Sequence, residues 1–528
     1  MNTTRRKFLQ ASGAAAGLPL LPLLPLLFKG KKEASPLCQL LAADPLRPQY
    51  HLLPASNWMN DPNGPVFFRG RYHMFFQHNP KGAVWGNMSW GHASSADMVH
   101  WRIEPVALTP TPGGFDSEGV FSGSIVLDQG VPTAIFTGVS IPPTDAEATL
   151  RDGVHTWREV QCLAVSRDPD LQVWQKVPEP VIAAPPPDLQ VTGFRDPSMW
   201  REGNSWLLTL GSGVKDGGKD RDKGGMVLLY ESPDLRHWTY LHPLLEGSPR
   251  KKANNQANNP VDSGEMWECP DFFPLGGKHV LLVSTQGKVL WKVGTYKDRR
   301  FAPEKEGVVD WGAYYAAKSM LDEGGNRILW GWIPEKRPEA EHNAAGWAGA
   351  MALPRVLSLN DAGELHMEVL PEVQKLRHAH WSYPVEESRE TQKKALNSFR
   401  IADLACEVGA VFNLREGETF KLLLHSEDGE AFATISCSAR ASGALLAVND
   451  VTAPLTRSQD SKYHLSLFLD GSVLELFVNG TTALTARIYT VPKWPLQLGF
   501  AGDVALDSAE AWFIQPISRD RLTSSLCG

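Results

Sequence analysis

Three acidic side chains stand out by their neighbours. Asp61 lies in Trp58-Met59-Asn60-Asp61-Pro62-Asn63-Gly64, and Asp196 in Gly193-Phe194-Arg195-Asp196-Pro197-Ser198-Met199-Trp200. Glu268 lies in Glu265-Met266-Trp267-Glu268-Cys269-Pro270-Asp271-Phe272-Phe273. A proline disfavours the helical conformation in the residue before it, so Pro62 and Pro197 predict extended backbone at Asp61 and Asp196. Asn63-Gly64 predicts a turn that aims Asp61 out of the end of a strand. A carboxylate held that way can serve as a nucleophile, or it can be an ordinary turn aspartate. Glu268 sits among Trp, Cys, Pro and two Phe residues, so it is expected to be desolvated. Desolvation raises a carboxyl pKa, which suits a general acid near neutral pH; a buried, ion-paired glutamate is the other reading. Arg195 can orient substrate hydroxyls. Arg167-Asp168-Pro169 repeats the Arg-Asp-Pro tripeptide, but where an outer turn is expected.

Residues so far apart in the chain need a scaffold that brings strand ends together. Ser95-Ala96-Asp97-Met98-Val99-His100-Trp101 recurs as Ser232-Pro233-Asp234-Leu235-Arg236-His237-Trp238, and Asp170-Leu171-Gln172-Val173-Trp174 keeps part of the pattern. Asp298-Arg299-Arg300-Phe301 reads as a decayed fourth copy. The copies recur roughly every 65 residues with β-type runs between them, at 72–77, 134–137, 206–210, 226–230, 280–284 and 327–332, which predicts propeller blades. Five such units fit between Arg47 and Met367. The expected fold is all-β: a five-bladed β-propeller at 44–369, a linker at 370–390 and a β-sandwich at 391–528. Short alternating strands with Asp470-Gly471 and Asn479-Gly480 hairpin turns mark the sandwich.

Composition agrees with a turn-rich β protein: 46 Gly, 39 Pro and 18 Trp in 528 residues, with only 21% charged. Residues 1–43 read as an export signal and leader. Thr4-Arg5-Arg6-Lys7-Phe8-Leu9-Gln10 resembles a twin-arginine signal, and an uncharged apolar run covers 11–28. Export to the periplasm or the medium is therefore expected, with a membrane contact only if this segment is uncleaved; Leu41-Ala42-Ala43 is one candidate cleavage site. The chain carries a net charge of −7 although its first 32 residues hold only basic charges, so the body is more acidic still. That argues against nucleic acid and anionic membranes as partners and fits a neutral substrate. The six cysteines lack metal-ligand spacing, and Cys406 with Cys437 is a possible disulfide. The sequence does not indicate an oligomeric state.

Taken together, the three acidic motifs resemble glycoside hydrolase family 32, the β-fructofuranosidases that include invertases, inulinases and levanases. Further likeness lies in Phe76-Gln77-His78-Asn79-Pro80, Trp90-Gly91-His92-Ala93-Ser94, Gly119-Val120-Phe121-Ser122-Gly123-Ser124, Asp310-Trp311-Gly312 with Tyr314-Tyr315-Ala316, and Arg327-Ile328-Leu329-Trp330-Gly331-Trp332. Leu469-Asp470-Gly471-Ser472-Val473-Leu474-Glu475-Leu476-Phe477 is similar to that family's sandwich signature. The resemblance implies Asp61 as nucleophile, Glu268 as acid/base and Asp196 as transition-state stabiliser. It implies Asn60, Gln77, Trp85, Phe121, Ser122, Arg195 and Trp332 as substrate-binding residues, sucrose or a fructan as substrate, and no metal or cofactor. Core packing is the alternative for the aromatic residues. A fructosyltransferase, a five-bladed arabinan-degrading relative and a non-catalytic fructan-binding protein remain alternatives. Export weighs against the branch of the family acting on phosphorylated sucrose. The loops at 141–158, 215–225 and 249–264 are expected to shape the rim of the site and hence substrate choice.

Overall fold

The computed structural model describes residues 36–518, except 152–153, 217–220, 248–265, 442, 459 and 505. The export motif lies outside the described residues, as does the whole of the 249–264 loop.

Five antiparallel sheets follow one another along the chain. Blade I comprises Asn57–Phe68, Arg71–Asn79, Ser89–Ser95 and Trp101–Leu108. Blade II comprises Gly119–Asp128, Val131–Ser140 and Thr156–Val165, with short outer pieces. Blade III runs through Val191–Glu202, Ser205–Asp216, Arg221–Ser232 and Thr239–Glu246. Blade IV runs through Glu268–Leu275, Lys278–Thr285, Lys288–Lys297 and Arg300–Val308. Blade V holds Tyr315–Leu321, Arg327–Ile333, Arg355–Leu359 and Leu365–Val369. The first strand of each blade packs against the first strand of the next, and that of blade V returns to blade I, so the sheets close into a five-bladed propeller. The ring is latched where Trp347–Ala348 pairs in parallel with Asn57 and Trp58.

The repeated Ser/Asp/Trp segments are the corners that lead into the outermost strands. Asp97 Oδ1 accepts from the backbone N–H of Val99 at 3.1 Å and of His100 at 2.9 Å; Asp234 Oδ1 accepts from Arg236 and His237, both at 2.9 Å. Asp168, in the equivalent turn of blade II, accepts from Gln172 at 2.6 Å and Val173 at 3.1 Å. Met98, Leu171 and Leu235 all take left-handed backbone angles, φ 61°, 56° and 63°, and bury their side chains under the corner. The repeat is thus a device for turning a blade corner and lies outside the site.

Two six-stranded sheets form the sandwich. One has edge strands Arg377–Ser382 and Thr482–Arg487, so a strand within the segment read as linker belongs to the sandwich. Cys406 and Cys437 are free thiols in the core between the sheets, which corrects the disulfide expected between them.

A buried polar network joins the domains. Arg355 of blade V pairs with Asp310 at 2.8 Å and with Glu475 of the sandwich at 2.7 Å, all fully buried. His51 bridges Asp470 and Glu475 at 2.8 and 3.0 Å. Asp470 also accepts from the backbone N–H of Gln49, Tyr50 and His51, which straps the chain before blade I onto the sandwich. Gly471 lets this strap approach: a Cβ there would lie 2.6 Å from the Leu46 carbonyl oxygen. Ahead of the strap, helix Pro36–Ala43 buries Leu41 against a cluster containing Met59 and Trp347, so the end of the segment assigned to the leader packs on the propeller.

Candidate active site

Each of the five inner strands carries the same irregularity. Its register against the second strand slips between Met59 and Pro62, Val120 and Gly123, Arg195 and Ser198, Glu268 and Asp271, and Tyr315 and Lys318. One extra residue at each slip is a β-bulge, which bends the strand and re-aims its side chains. Five bulges at matching positions turn the same ends of the inner strands toward one funnel. Asp196, Cys269 and Ala316 take φ 65°, 48° and 55° at their bulges. Such angles cost a non-glycine residue about 1–2 kcal/mol and persist only where the surroundings hold them.

Two local expectations need correction. The Asp61 motif does not end a strand in a turn. It lies inside the continuous strand Asn57–Phe68, with Asp61 in the bulge between Met59 and Pro62 and a second bulge following between Asn63 and Val66. Asp196 is left-handed rather than extended, because the bulge overrides the preference set by Pro197.

The funnel ends in a cavity of about 310 Å³. All ten residues singled out from the sequence line it: Asp61, Asp196, Glu268, Asn60, Gln77, Trp85, Phe121, Ser122, Arg195 and Trp332. Asp61 Oδ2 accepts from Ser122 Oγ at 2.6 Å, and Oδ1 from Asn60 Nδ2 at 3.0 Å. Asn60 is set in turn by Trp58 Nε1, which donates to its Oδ1 at 2.7 Å. Gln77 donates to the Val120 carbonyl at 2.9 Å. Asp196 Oδ2 accepts from the backbone N–H of Cys269 at 2.9 Å. Cys269 Sγ lies 3.4 Å from Asp61 Oδ2 and 3.5 Å from Asp196 Oδ2, so one thiol touches both aspartates. Glu268 Oε1 accepts from Arg195 Nη2 at 2.8 Å and Oε2 from the Tyr315 hydroxyl at 2.6 Å.

These contacts set the charge states. Burial raises the Asp61 carboxyl, while the bonds from Ser122 and Asn60 hold it back. Burial pushes Asp196 up to about 7 against the pull of Arg195, and the neighbouring Asp61 and Glu268 push the same way. Glu268 goes the other way. Its burial acts upward, but the Arg195 charge and the bonds from Tyr315 and Arg195 outweigh it and leave the carboxyl below its ordinary value. This reverses the shift expected from its apolar sequence neighbours. Burial also raises the Cys269 thiol, which stays protonated and can donate. Among the described residues, no group of three or more His, Cys, Asp or Glu side chains is placed to hold a metal ion.

Several lining residues had not been assigned roles. Tyr315 and Cys269 lie inside motifs that carry the resemblance, and Met88 lies just ahead of the Trp90 motif. Leu150 and Trp157 come from the 141–158 loop region and form an apolar wall with Trp85 and Phe121. Glu159, just behind that wall, holds Arg195 Nη1 at 2.9 Å. Its strand, Thr156–Val165, also holds Thr156, Arg158 and Gln161, so no local signal in the sequence marks it.

A propeller funnel with paired carboxylates, one bonded by a hydroxyl and an amide and one held by a guanidinium and a phenol, holds the groups that a glycosidase uses. Comparison with known proteins narrows this class. The model for "Glycosyl hydrolases family 32 N-terminal domain" matches residues 51–368, and that for "Glycosyl hydrolases family 32 C terminal" matches 372–512. A sucrose-6-phosphate hydrolase of Zymomonas mobilis is 32% identical over 91% of this chain and 94% of its own length. A raffinose invertase of Escherichia coli is 34% identical over 88% of this chain and 95% of its own. The crystal structure of fructan 1-exohydrolase IIa from Cichorium intybus superposes with a TM-score of 0.71 at 26% identity, covering 89% of this chain and 98% of that one. The chain belongs to glycoside hydrolase family 32, the family of β-fructofuranosidases and invertases.

Proposed function

We propose that this chain is an exported, retaining enzyme that releases fructose from non-reducing β-D-fructofuranosyl ends of sucrose, inulin or levan. The observation that carries the reading is the opposed setting of Asp61 and Glu268 in one cavity. Asp61 accepts bonds that favour its carboxylate, which is the state a nucleophile needs. Glu268 lies between Arg195 and Tyr315 with its side chain 30% exposed. A neutral sugar entering the cavity removes the remaining water from Glu268. Loss of solvent disfavours the charged form and moves the carboxyl toward the protonated state that an acid needs. Glu268 then protonates the leaving oxygen as Asp61 attacks C2 of the fructosyl unit. The deprotonated Glu268 next activates the water that releases fructose. Asp196 and Arg195 bind the sugar and favour its cationic transition state.

The test is release of fructose from sucrose, inulin and levan, repeated with Glu268→Gln. No release from any of the three, or near-normal activity of the variant, removes the assignment. Transfer to a sugar acceptor would appear in the same assay as glucose released in excess of fructose.

A second reading follows from the relatives named for sucrose 6-phosphate. Among the described residues Arg195 is the one lysine or arginine lining the cavity, and it is already paired with Glu159 and Glu268. That favours an uncharged substrate. Rates on sucrose and sucrose 6-phosphate, compared side by side, decide between them. Export rests on the twin-arginine motif at 4–10 and the apolar run at 11–28. Replacing Arg5 and Arg6 together by lysine should leave the enzyme inside the cell; continued export would remove the route.

A further inference from the structure

Arg195 has two carboxylate partners, and one of them lies outside the cavity lining. Its Nη2 meets Glu268 Oε1 at 2.8 Å, while Nη1 meets Glu159 Oε1 at 2.9 Å. Glu159 stands on the third strand of blade II and is fully buried. Its other oxygen accepts from the Phe194 backbone N–H at 2.7 Å and from Thr149 Oγ1 at 3.1 Å. The carboxylate is therefore anchored to the residue just before Arg195, to the Leu150–Arg151 side of its own blade and to the guanidinium. A buried charge without a partner is expensive, and a buried acid in a strand calls for a reason. Here the partner is the cation that also holds Glu268.

We propose that Glu159 is a positioning residue for the reaction: it clamps the outer edge of the Arg195 guanidinium, so that the inner edge meets Glu268 in one orientation and with only part of its charge. The inference rests on the reading of Glu268 as the acid/base. Five other groups bear on the Glu268 proton. Arg195 and Asp196 face it from blade III, Tyr315 from blade V, Asp61 from blade I and Cys269 from its own strand, with Lys318 farther off beside Cys269. Of these, Arg195 is the direct route from Glu159. With Glu159 neutral, Arg195 keeps Glu268 as its one hydrogen-bonded carboxylate and more of its charge falls there, and a nearby negative charge is lost as well. Both changes strip the proton from Glu268 at lower pH, and that proton is the one the leaving oxygen must receive.

The experiment is the pH dependence of kcat/KM for fructose release from sucrose by the full chain, with Glu159→Gln and Glu159→Asp. In Glu159→Gln the alkaline limb should move toward acid by about half a pH unit or more, with kcat down on the order of tenfold. A limb at the wild-type position, with only folded yield or melting temperature lowered, is the signature of a purely structural glutamate and overturns the proposal. Should Glu159→Gln fail to fold, Glu159→Asp keeps the charge but shortens the arm. A kcat on the order of tenfold below wild type at unchanged KM supports the clamp, and wild-type kcat overturns it. A wild-type chain that releases no fructose removes the underlying reading and this inference with it, so the two failures are told apart before any variant is measured.

Discussion

The Ser122 hydroxyl reaches from the inner strand of blade II to Asp61 on the inner strand of blade I, donating to Oδ2 at 2.6 Å. The bond joins neighbouring blades at the same bulge level, so the packing of one blade on the next assembles this part of the site. It also opposes the burial that raises Asp61. Ser122→Ala should therefore raise the Asp61 pKa further. Asp61 must be ionised to attack, so the acidic limb of kcat/KM should move to higher pH, with a loss on the order of tenfold at neutral pH. A pH–rate profile on sucrose checks this.

Tyr315 acts with the opposite sign on the partner carboxyl. Its hydroxyl donates to Glu268 Oε2 at 2.6 Å and helps hold Glu268 below its ordinary value. Tyr315→Phe removes that bond, so Glu268 keeps its proton to higher pH and the alkaline limb should move toward base. Turnover should fall at the same time, because Glu268 loses one of the contacts that orient it. An alkaline limb that stays in place would show that Arg195 alone sets the Glu268 proton.

The apolar wall of Trp85, Phe121 and Trp157 should bind the part of the substrate beyond the fructosyl ring. Trp85 is 44% exposed although it stacks near Trp157, and exposed stacked tryptophan is suited to sugar faces. Trp157→Ala should raise KM about tenfold with kcat changed less, since a platform that binds ground and transition states alike contributes mainly to KM. The comparison of KM on sucrose, inulin and levan reads out which leaving group the wall serves.

His51 offers a stability test away from the chemistry. Burial alone would lower its pKa, but the bonds to Asp470 and Glu475 raise it to about 9. A group whose pKa is higher in the folded state stabilises fully below its unfolded value, near 6.5, and loses that contribution as pH climbs through 9. The melting temperature should therefore fall between pH 6.5 and 9. His51→Ala should flatten that slope and lower stability at pH 6 by about 3–5 kcal/mol, because Asp470 and Glu475 lose a buried partner. Thermal melts of both proteins across this range measure it.

Much of the architecture was written locally. Alternating runs, turn pairs and the corner repeat need only neighbouring residues to be read, because strand period and turn geometry are short-range properties. The three acids could be picked out for the same reason: each has an unusual immediate setting. The tertiary structure decided what those settings do. Glu268 looks desolvated from its own neighbours, yet Arg195 and Tyr315 arrive from two other blades and turn its shift downward. Asp196 looks extended next to Pro197, yet a bulge repeated in all five inner strands makes it left-handed. Glu159 had no local signal, being one of several polar residues in its strand, and its contact with Arg195 exists only once blades II and III are adjacent. The sequence by itself determined which residue types stand on the inner strands and in what order. Only ring closure determined which charges face one another, because Coulomb energies and hydrogen bonds depend on distances that chain order does not contain.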